Sequence, residues 1–254
     1  MKILEVKQTS KMFDGFSALR NVDISVNEGE VHSIIGPNGA GKTTVFNVVS
    51  GVYPATSGKI MFLEKDVTRC RPYQIARLGL ARTFQNIYLF PGMTVLENVM
   101  VGEHARSTPG VGAIFFRLPF TALSAEKKML ARAEQILEFV GLASVKDQPA
   151  SSLPYGSQRR LEIARALATE PRLLLLDEPA AGMNPAETGA LVGLIRKIGD
   201  SGVTILLIEH HMQLVSDISD RITVLNFGEK IAEGTPAEIK NDERVIEAYI
   251  GREE

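Results

Sequence analysis

Gly36-Pro37-Asn38-Gly39-Ala40-Gly41-Lys42-Thr43 follows the pattern G-x-x-x-x-G-K-[ST]. A strand-like run, Val31 to Ile35, precedes it, and Thr44-Val45-Phe46-Asn47-Val48-Val49 reads as the first turns of a helix. A strand, a glycine loop and a helix N-terminus gather backbone N–H groups and a helix dipole around one anion. Gly36, Gly39 and Gly41 leave no Cβ in the way of a closely approaching phosphate, with Pro37, Asn38, Ala40 and Thr44 completing the loop. Lys42 can reach the β- and γ-phosphates as a point charge, and the Thr43 hydroxyl can ligate Mg²⁺. The octapeptide in this setting predicts a nucleoside triphosphate site.

Working outward, 254 residues suffice for one large α/β domain or a core with a smaller lobe. Apolar content of 44% and charged content of 23% are those of an ordinary globular chain. A formal net charge of -2 offers no electrostatic case for binding nucleic acid or anionic lipid. The single cysteine, Cys70, excludes an intrachain disulfide framework and zinc spacing, and suits a reducing cytosol. The N-terminus alternates charge with apolar residues and lacks a signal-peptide core. No apolar run approaches the roughly 20 residues that span a bilayer, so a soluble protein is expected, acting on a membrane only through a partner.

Residues 3–7 and 21–26 alternate apolar and polar, the mark of a half-exposed antiparallel sheet, and Ile60-Met61-Phe62 reads as a further strand of it. From about 91 to 154 the pattern turns helical. Thr94 and Glu97 form a capping-box pair, and Met129, Ala133, Ile136, Leu137 and Val140 make one stripe that Gly141 ends. Pro109, Gly110, Gly112 and Pro119 surround Ile114-Phe115-Phe116, so 105–124 reads as a loop or broken helix. A helix from Gln158 to about Thr169 leads into two buried strands, Leu173 to Leu176 and Thr204 to Ile208, with a helix around 187–199 between them. Strands apolar on both faces and separated by helices predict a parallel sheet covered on both sides. Residues 222–232 read as a closing hairpin.

Two strand ends carry further chemistry. Leu173-Leu174-Leu175-Leu176-Asp177-Glu178 delivers two carboxylates to the edge where a parallel sheet binds ligands. Asp177 fits an acidic Mg²⁺ partner, and Glu178 can polarise a water for in-line attack on a γ-phosphate. The alternative is a strand-end pair that caps a turn before Pro179. Leu206-Leu207-Ile208-Glu209-His210-His211 ends the second strand; His210 is preferred to His211 as a γ-phosphate or water contact, and the pair makes a poor metal site. Leu153-Pro154-Tyr155-Gly156-Ser157 is a glycine-containing loop running into a helix, a second place where N–H groups face an anion. A basic surface helix is the plain reading of Arg159, Arg160 and Arg165.

In this order, the set resembles the nucleotide-binding subunit of an ABC transporter along essentially the whole chain. Gln85 in Ala81-Arg82-Thr83-Phe84-Gln85 matches the Q-loop, Leu153 to Ser157 the signature loop, Ala181-Gly182-Met183-Asn184 the D-loop, and His210 the switch. Phe13 matches the aromatic that stacks on adenine, with Phe16 as the alternative. The resemblance implies an α/β P-loop NTPase fold: a mostly parallel core sheet, an N-terminal antiparallel lobe, and a helical signature lobe at about 91–154 within a single domain, 1–254, closed by a hairpin and helices at 222–254. It implies ATP and Mg²⁺ as cofactors and hydrolysis by Glu178, His210 and Gln85. Thr43, Asp177 and Gln85 would stand nearest the metal, and Tyr155, Gly156 and Ser157 would meet the nucleotide of a second subunit. The signature departs from L-S-G-G-Q, losing a serine hydroxyl and the glutamine, and Asn184 replaces an aspartate; neither change touches the hydrolytic residues.

Tyr155-Gly156, Gln158-Arg159-Arg160-Leu161-Glu162-Ile163-Ala164-Arg165, Glu178 to Pro185 and Glu233-Gly234-Thr235-Pro236 are similar to LivG-type subunits, which energise branched-chain amino acid import. Urea importers, lipopolysaccharide exporters and non-transport ABC ATPases are the alternatives. The implied partners are integral-membrane permeases, a second ATPase subunit and, indirectly, a solute-binding protein, with no nucleic acid. The implied location is the cytoplasmic face of the membrane, with residues 86–104 as the docking surface.

Overall fold

Four consecutive leucines, Leu173 to Leu176, are wholly buried in strand β7 (Leu173–Asp177), each burial contributing about 1.5–3 kcal/mol. Their sheet runs in the order β10-β9-β3-β8-β7-β6. Its members are β3 (Val31–Ile35), β6 (Leu80–Arg82), β7, β8 (Thr204–Ile208), β9 (Arg221–Asn226) and β10 (Glu229–Gly234). All neighbours are parallel except β9 and β10, which form the expected antiparallel hairpin. Ile208 lies opposite both Ile34 and Asp177, so β3, β7 and β8 end level on one edge. This computed structural model describes residues 1–106 and 119–250.

Two units emerge, Met1–Arg82 with Arg172–Glu254, and Thr83–Pro171. In the first, a second sheet runs β2-β1-β4-β5, from β1 (Lys2–Phe13), β2 (Phe16–Asn27), β4 (Ser57–Phe62) and β5 (Lys65–Asp66). Its inner face (Ile3, Val6, Ile24, Phe62) and helix α1 (Lys42–Val49, through Phe46) share one core with Ile34, Leu175 and Leu206. Ile35, Ile222 and Val224 join a second core with α7 (Met212–Ile218), α8 (Pro236–Lys240) and α9 (Glu243–Ile250). The remaining helices of this unit are α2 (Pro72–Arg77) and α6 (Pro185–Asp200).

β1 and β2 are longer than the alternation at 3–7 and 21–26 predicts, at 12 residues each. Their ladder shifts register mid-strand, where Gln8 and Asn21 take positive φ. The Gln8 amide donates to Asp23 Oδ1 and the Asn21 amide to Ser10 Oγ, so side chains replace ladder partners there.

The second unit holds α3 (Val95–Arg106), α4 (Pro119–Phe139) and α5 (Tyr155–Leu167), with α3 packed on both others. The capping box forms as expected: the Glu97 amide donates to Thr94 Oγ1 and the Thr94 amide to the Glu97 carboxylate. Ala133, Leu137 and Val140 are the buried stripe, and Gly141 stops the run at positive φ. Helix α5 starts at Tyr155, three residues before the expected Gln158, with Pro154 as N-cap. Tyr155, Gly156 and Ser157 are therefore its first turn rather than a loop ahead of it. Of the segment 105–124, residues 107–118, with Ile114-Phe115-Phe116, lie outside the described residues. No described helix is long and apolar enough to cross a membrane.

Candidate functional site

The phosphate-loop sequence leaves β3 and enters α1, and two of its glycines are sterically required. A Cβ on Gly36 would fall 2.1 Å from the Leu225 carbonyl oxygen, and one on Gly41 2.7 Å from that of Ala18. Gly41 caps α1 with φ of 99°, a left-handed conformation costly for any residue with a Cβ. The amides of residues 42–44 head the helix, where no carbonyl lies behind them to accept a bond. Lys42 is only 5% exposed, and its Nζ donates to the carbonyls of Gly36 at 2.7 Å and Pro37 at 2.9 Å. Burial pushes its ammonium below the usual lysine range, opposed by Glu178 and Asp177. Thr43 is exposed and Thr44 half-buried.

At the end of β7, Asp177 is 2% exposed and paired with Arg82, whose Nη2 lies 2.9 Å from Oδ2. The same guanidinium donates to Asn47 Oδ1 at 2.8 Å and Ser50 Oγ at 3.0 Å, and lies over the Phe46 ring. One arginine thereby joins β6, α1 and β7. In the sequence Arg82 stands only as a flank of Gln85; an arginine ending a short buried strand is the signal that marks it.

Glu178 follows in a left-handed conformation, φ 46°, which costs about 1–3 kcal/mol outside glycine. Its amide donates to the Ile208 carbonyl at 2.9 Å. Its Oε1 lies 2.5 Å from His210 Nε2. Glu209, between Ile208 and His210, is 1% exposed, and nothing in its local sequence marks it out. Its carboxylate accepts from the amides of Ala180 at 2.9 Å and His210 at 3.0 Å. His211, the less favoured histidine, reaches Glu209, with Nδ1 at 3.3 Å. Asn184, a neutral residue, caps α6 in a reciprocal box with Glu187 and takes part in both capping hydrogen bonds.

Phe13, Phe16, Asn38 to Thr44, Glu178 and His210 line one cavity of about 390 Å³. Phe13 is half-buried, edge-on to Tyr53 at 5.2 Å, with the Lys11 ammonium 4.6 Å from its ring centre. Phe16 is 67% exposed. Both candidate aromatics are thus on the cavity wall. The donor set suits a triphosphate: glycines held against backbone, helix-head amides and a buried ammonium. The Thr43 hydroxyl and Asp177 carboxylate are hard oxygen donors of the kind Mg²⁺ takes.

Gln85, Tyr155, Gly156 and Ser157 belong to the other unit. There Arg159, fully buried, donates to the carbonyls of Phe84 and Gln85, each at 2.7 Å, to Glu162 Oε2 at 2.8 Å and to the Tyr155 hydroxyl at 3.3 Å. Burial pushes the Glu162 carboxyl up, opposed by Arg159 and the Phe84 amide. The plain reading of Arg159 as a surface cation is therefore wrong: it is the pin between the Phe84–Gln85 backbone and helix α5. Ser157 Oγ accepts from Arg160 at 3.0 Å, and the Ser157 amide is used by Pro154, which leaves the Tyr155 and Gly156 amides at the helix head.

Residues 19–181 match the family model "ABC transporter", and 229–254 match "Branched-chain amino acid ATP-binding cassette transporter". The chain is 47% identical over 250 residues to the high-affinity branched-chain amino acid transport ATP-binding protein LivG of Salmonella typhimurium, covering 98% of each. It is 46% identical over the same span to BraF of Pseudomonas aeruginosa, again covering 98% of each. Among solved structures it superposes with a TM-score of 0.86 on a nucleotide-free ATP-binding cassette from an ABC transporter, at 38% identity over 99% of this chain and 100% of that one. A cassette in its ADP conformation matches at the same TM-score and 36% identity, with the same coverage. A glycine loop heading α1, two carboxylates ending β7 and a histidine after β8 are thus found in a chain whose whole length aligns with transport ATPases: it belongs to the ATP-binding cassette family of ABC transporters.

Proposed function

We propose that this chain is the ATP-hydrolysing subunit of an importer that drives branched-chain, or other, amino acids through partner permeases. The observation that carries the hydrolytic role is the Glu178–His210 contact of 2.5 Å on the wall of the cavity formed by the phosphate loop. The cargo rests on the names of the relatives and on the C-terminal match at 229–254.

Lys42 and the amides heading α1 bind the phosphates, Phe13 or Phe16 takes the base, and Glu178 accepts a proton from the attacking water. His210 holds the Glu178 carboxylate and meets the γ-phosphate side of the cavity. Thr43 and Asp177 would hold Mg²⁺, which when bound neutralises phosphate charge. This chain's Tyr155, Gly156 and Ser157 meet the nucleotide of a second ATPase subunit, whose own signature loop closes over this one, so turnover requires two cassettes. Residues 1–254 act as one domain, with 91–154 as its helical lobe. Tyr88, Phe90 and Met93, all exposed, supply the apolar part of the permease-docking face at 86–104. In this reading the chain sits peripherally on the cytoplasmic face of the membrane, with a solute-binding protein as an indirect partner.

The test is recovery of the subunit from its native membranes in detergent, with co-purifying proteins identified. Two permeases, a second ATPase and an amino-acid-binding protein are expected. Permeases for urea or lipopolysaccharide would replace the cargo, and soluble partners alone would overturn the transporter reading.

A further inference from the structure

We propose that Glu209 is a positioning residue of the hydrolytic centre, a buried carboxylate that fixes both the turn after Glu178 and the switch His210. This rests on the reading of Glu178 and His210 as the hydrolytic pair. Glu209 directly follows β8, yet its side chain turns back into the protein and is 1% exposed.

A buried carboxylate is costly unless its oxygens are satisfied. Here each oxygen accepts from a backbone amide of a different segment. Oε1 takes the Ala180 N–H at 2.9 Å, and Oε2 takes the His210 N–H at 3.0 Å with His211 Nδ1 at 3.3 Å. Ala180 sits in the turn that the Ala181 amide closes onto the Glu178 carbonyl at 3.1 Å. Glu178 in turn is tied back to β8 by its amide, which donates to the Ile208 carbonyl at 2.9 Å.

The result is a closed circuit. Glu209 holds the two backbone segments, and the Glu178 carboxylate and His210 ring complete the loop at 2.5 Å. Glu178 stands at positive φ, so its turn needs outside support to persist. Glu209 touches the backbone on both sides of the reacting pair while facing away from solvent, which fits positioning rather than proton transfer. Glutamine cannot substitute: its carbonyl oxygen can accept one amide, but its NH₂ group would face the other donor.

The test uses Glu209→Gln and Glu209→Asp in the full chain, beside Glu178→Gln. In the nucleotide-free protein labelled at histidine nitrogens, Glu209→Gln should move the His210 ring resonances, as Glu178→Gln does. ATP affinity should stay within about twofold, while kcat falls about tenfold or more, the effect of one lost buried hydrogen bond. Glu209→Asp, which keeps two acceptors on a shorter stem, should recover part of kcat, and it decides the matter if the glutamine variant does not fold. Parental kcat with unmoved His210 resonances overturns the proposal. So does a loss of ATP affinity in step with kcat, the mark of a merely structural residue. Parental turnover by Glu178→Gln would instead overturn the underlying assignment of the base, whatever Glu209 does.

Discussion

The Glu178 carboxylate and the His210 imidazole meet at 2.5 Å, although 32 residues separate them. Their strands make the meeting possible. β7 and β8 are parallel neighbours, Asp177 lies opposite Ile208, and each chain continues past the sheet edge at the same level. A carboxylate just beyond one strand and a histidine two residues beyond the other are thereby brought to one point, next to the loop that leaves β3.

Glu178→Gln should keep this geometry and remove the proton acceptor. General-base catalysis contributes about 10²–10⁴-fold, so kcat should fall by that order while ATP affinity holds, because Lys42 and the loop amides are untouched. Phosphate release and equilibrium binding of a fluorescent ATP analogue measure the two separately. Turnover at the parental rate would remove Glu178 from the role of base.

Lys42 gives the site an alkaline limit. Burial lowers its pKa from the free value of 10.5, and Glu178 and Asp177 offset part of that. Phosphate binding needs the ammonium. Affinity in the parent should therefore weaken as pH rises through a value below 10.5, and its advantage over Lys42→Met should shrink in the same window. Titrating ATP into both proteins from about pH 7 to 10 checks this. An affinity ratio constant across that range would contradict it.

What was legible in the sequence followed local rules. The octapeptide at 36–43 carries its own geometry, Thr94 and Glu97 their own cap, and Leu173–Leu176 and Thr204–Ile208 the double-sided burial of a parallel sheet. The strands β1 and β2 were only half legible, because Gln8 and Asn21 interrupt the alternation with side-chain bonds that no periodicity reports. Arg82, Arg159 and Glu209 stayed hidden for a different reason. A charged residue reads as solvated unless its partners are known, and one partner of each lies 95, 75 or 29 residues away, at Asp177, Phe84 and Ala180. Only the fold makes those pairs.

Arg159 tests that point in the second unit. Replacing it with Met removes four donated bonds and leaves Glu162 buried without its hydrogen-bonded cation. Breaking a buried pair from one side costs about 3–5 kcal/mol. Urea denaturation should show a loss of that size, and Arg159→Met, Glu162→Met together should cost less than the sum of the single changes. Strict additivity would mean that the two side chains do not stabilise each other.

Asn184 offers a smaller effect of defined origin. Its side chain accepts from the Glu187 amide at 3.0 Å, and the Glu187 carboxylate accepts from the Asn184 amide at 3.1 Å. Asn184→Ala should cost about 1 kcal/mol as a lost N-cap, and Asn184→Asp should restore the cap with added charge favourable to the helix dipole. Thermal melts of the three proteins decide it. An alanine variant as stable as the parent would show that the cap contributes nothing here.

Glu233, in the C-terminal hairpin, sets a dependence at acid pH. Burial acts to raise its pKa, but hydrogen bonds from Lys230 and Arg221, each 2.8 Å long, prevail and hold it below 4.5. A carboxyl whose folded value is depressed stabilises the fold fully above the unfolded value of 4.5, and that contribution disappears as pH falls through the folded value. Glu233→Gln lacks the contribution at every pH. The gap in unfolding free energy between parent and variant should therefore be constant from neutral pH down to about 6, then close as the solution is acidified past 4.5. Denaturant melts at a series of pH values measure the gap. One that stays constant into strong acid would show that Lys230 and Arg221 do not hold the carboxylate in its charged form.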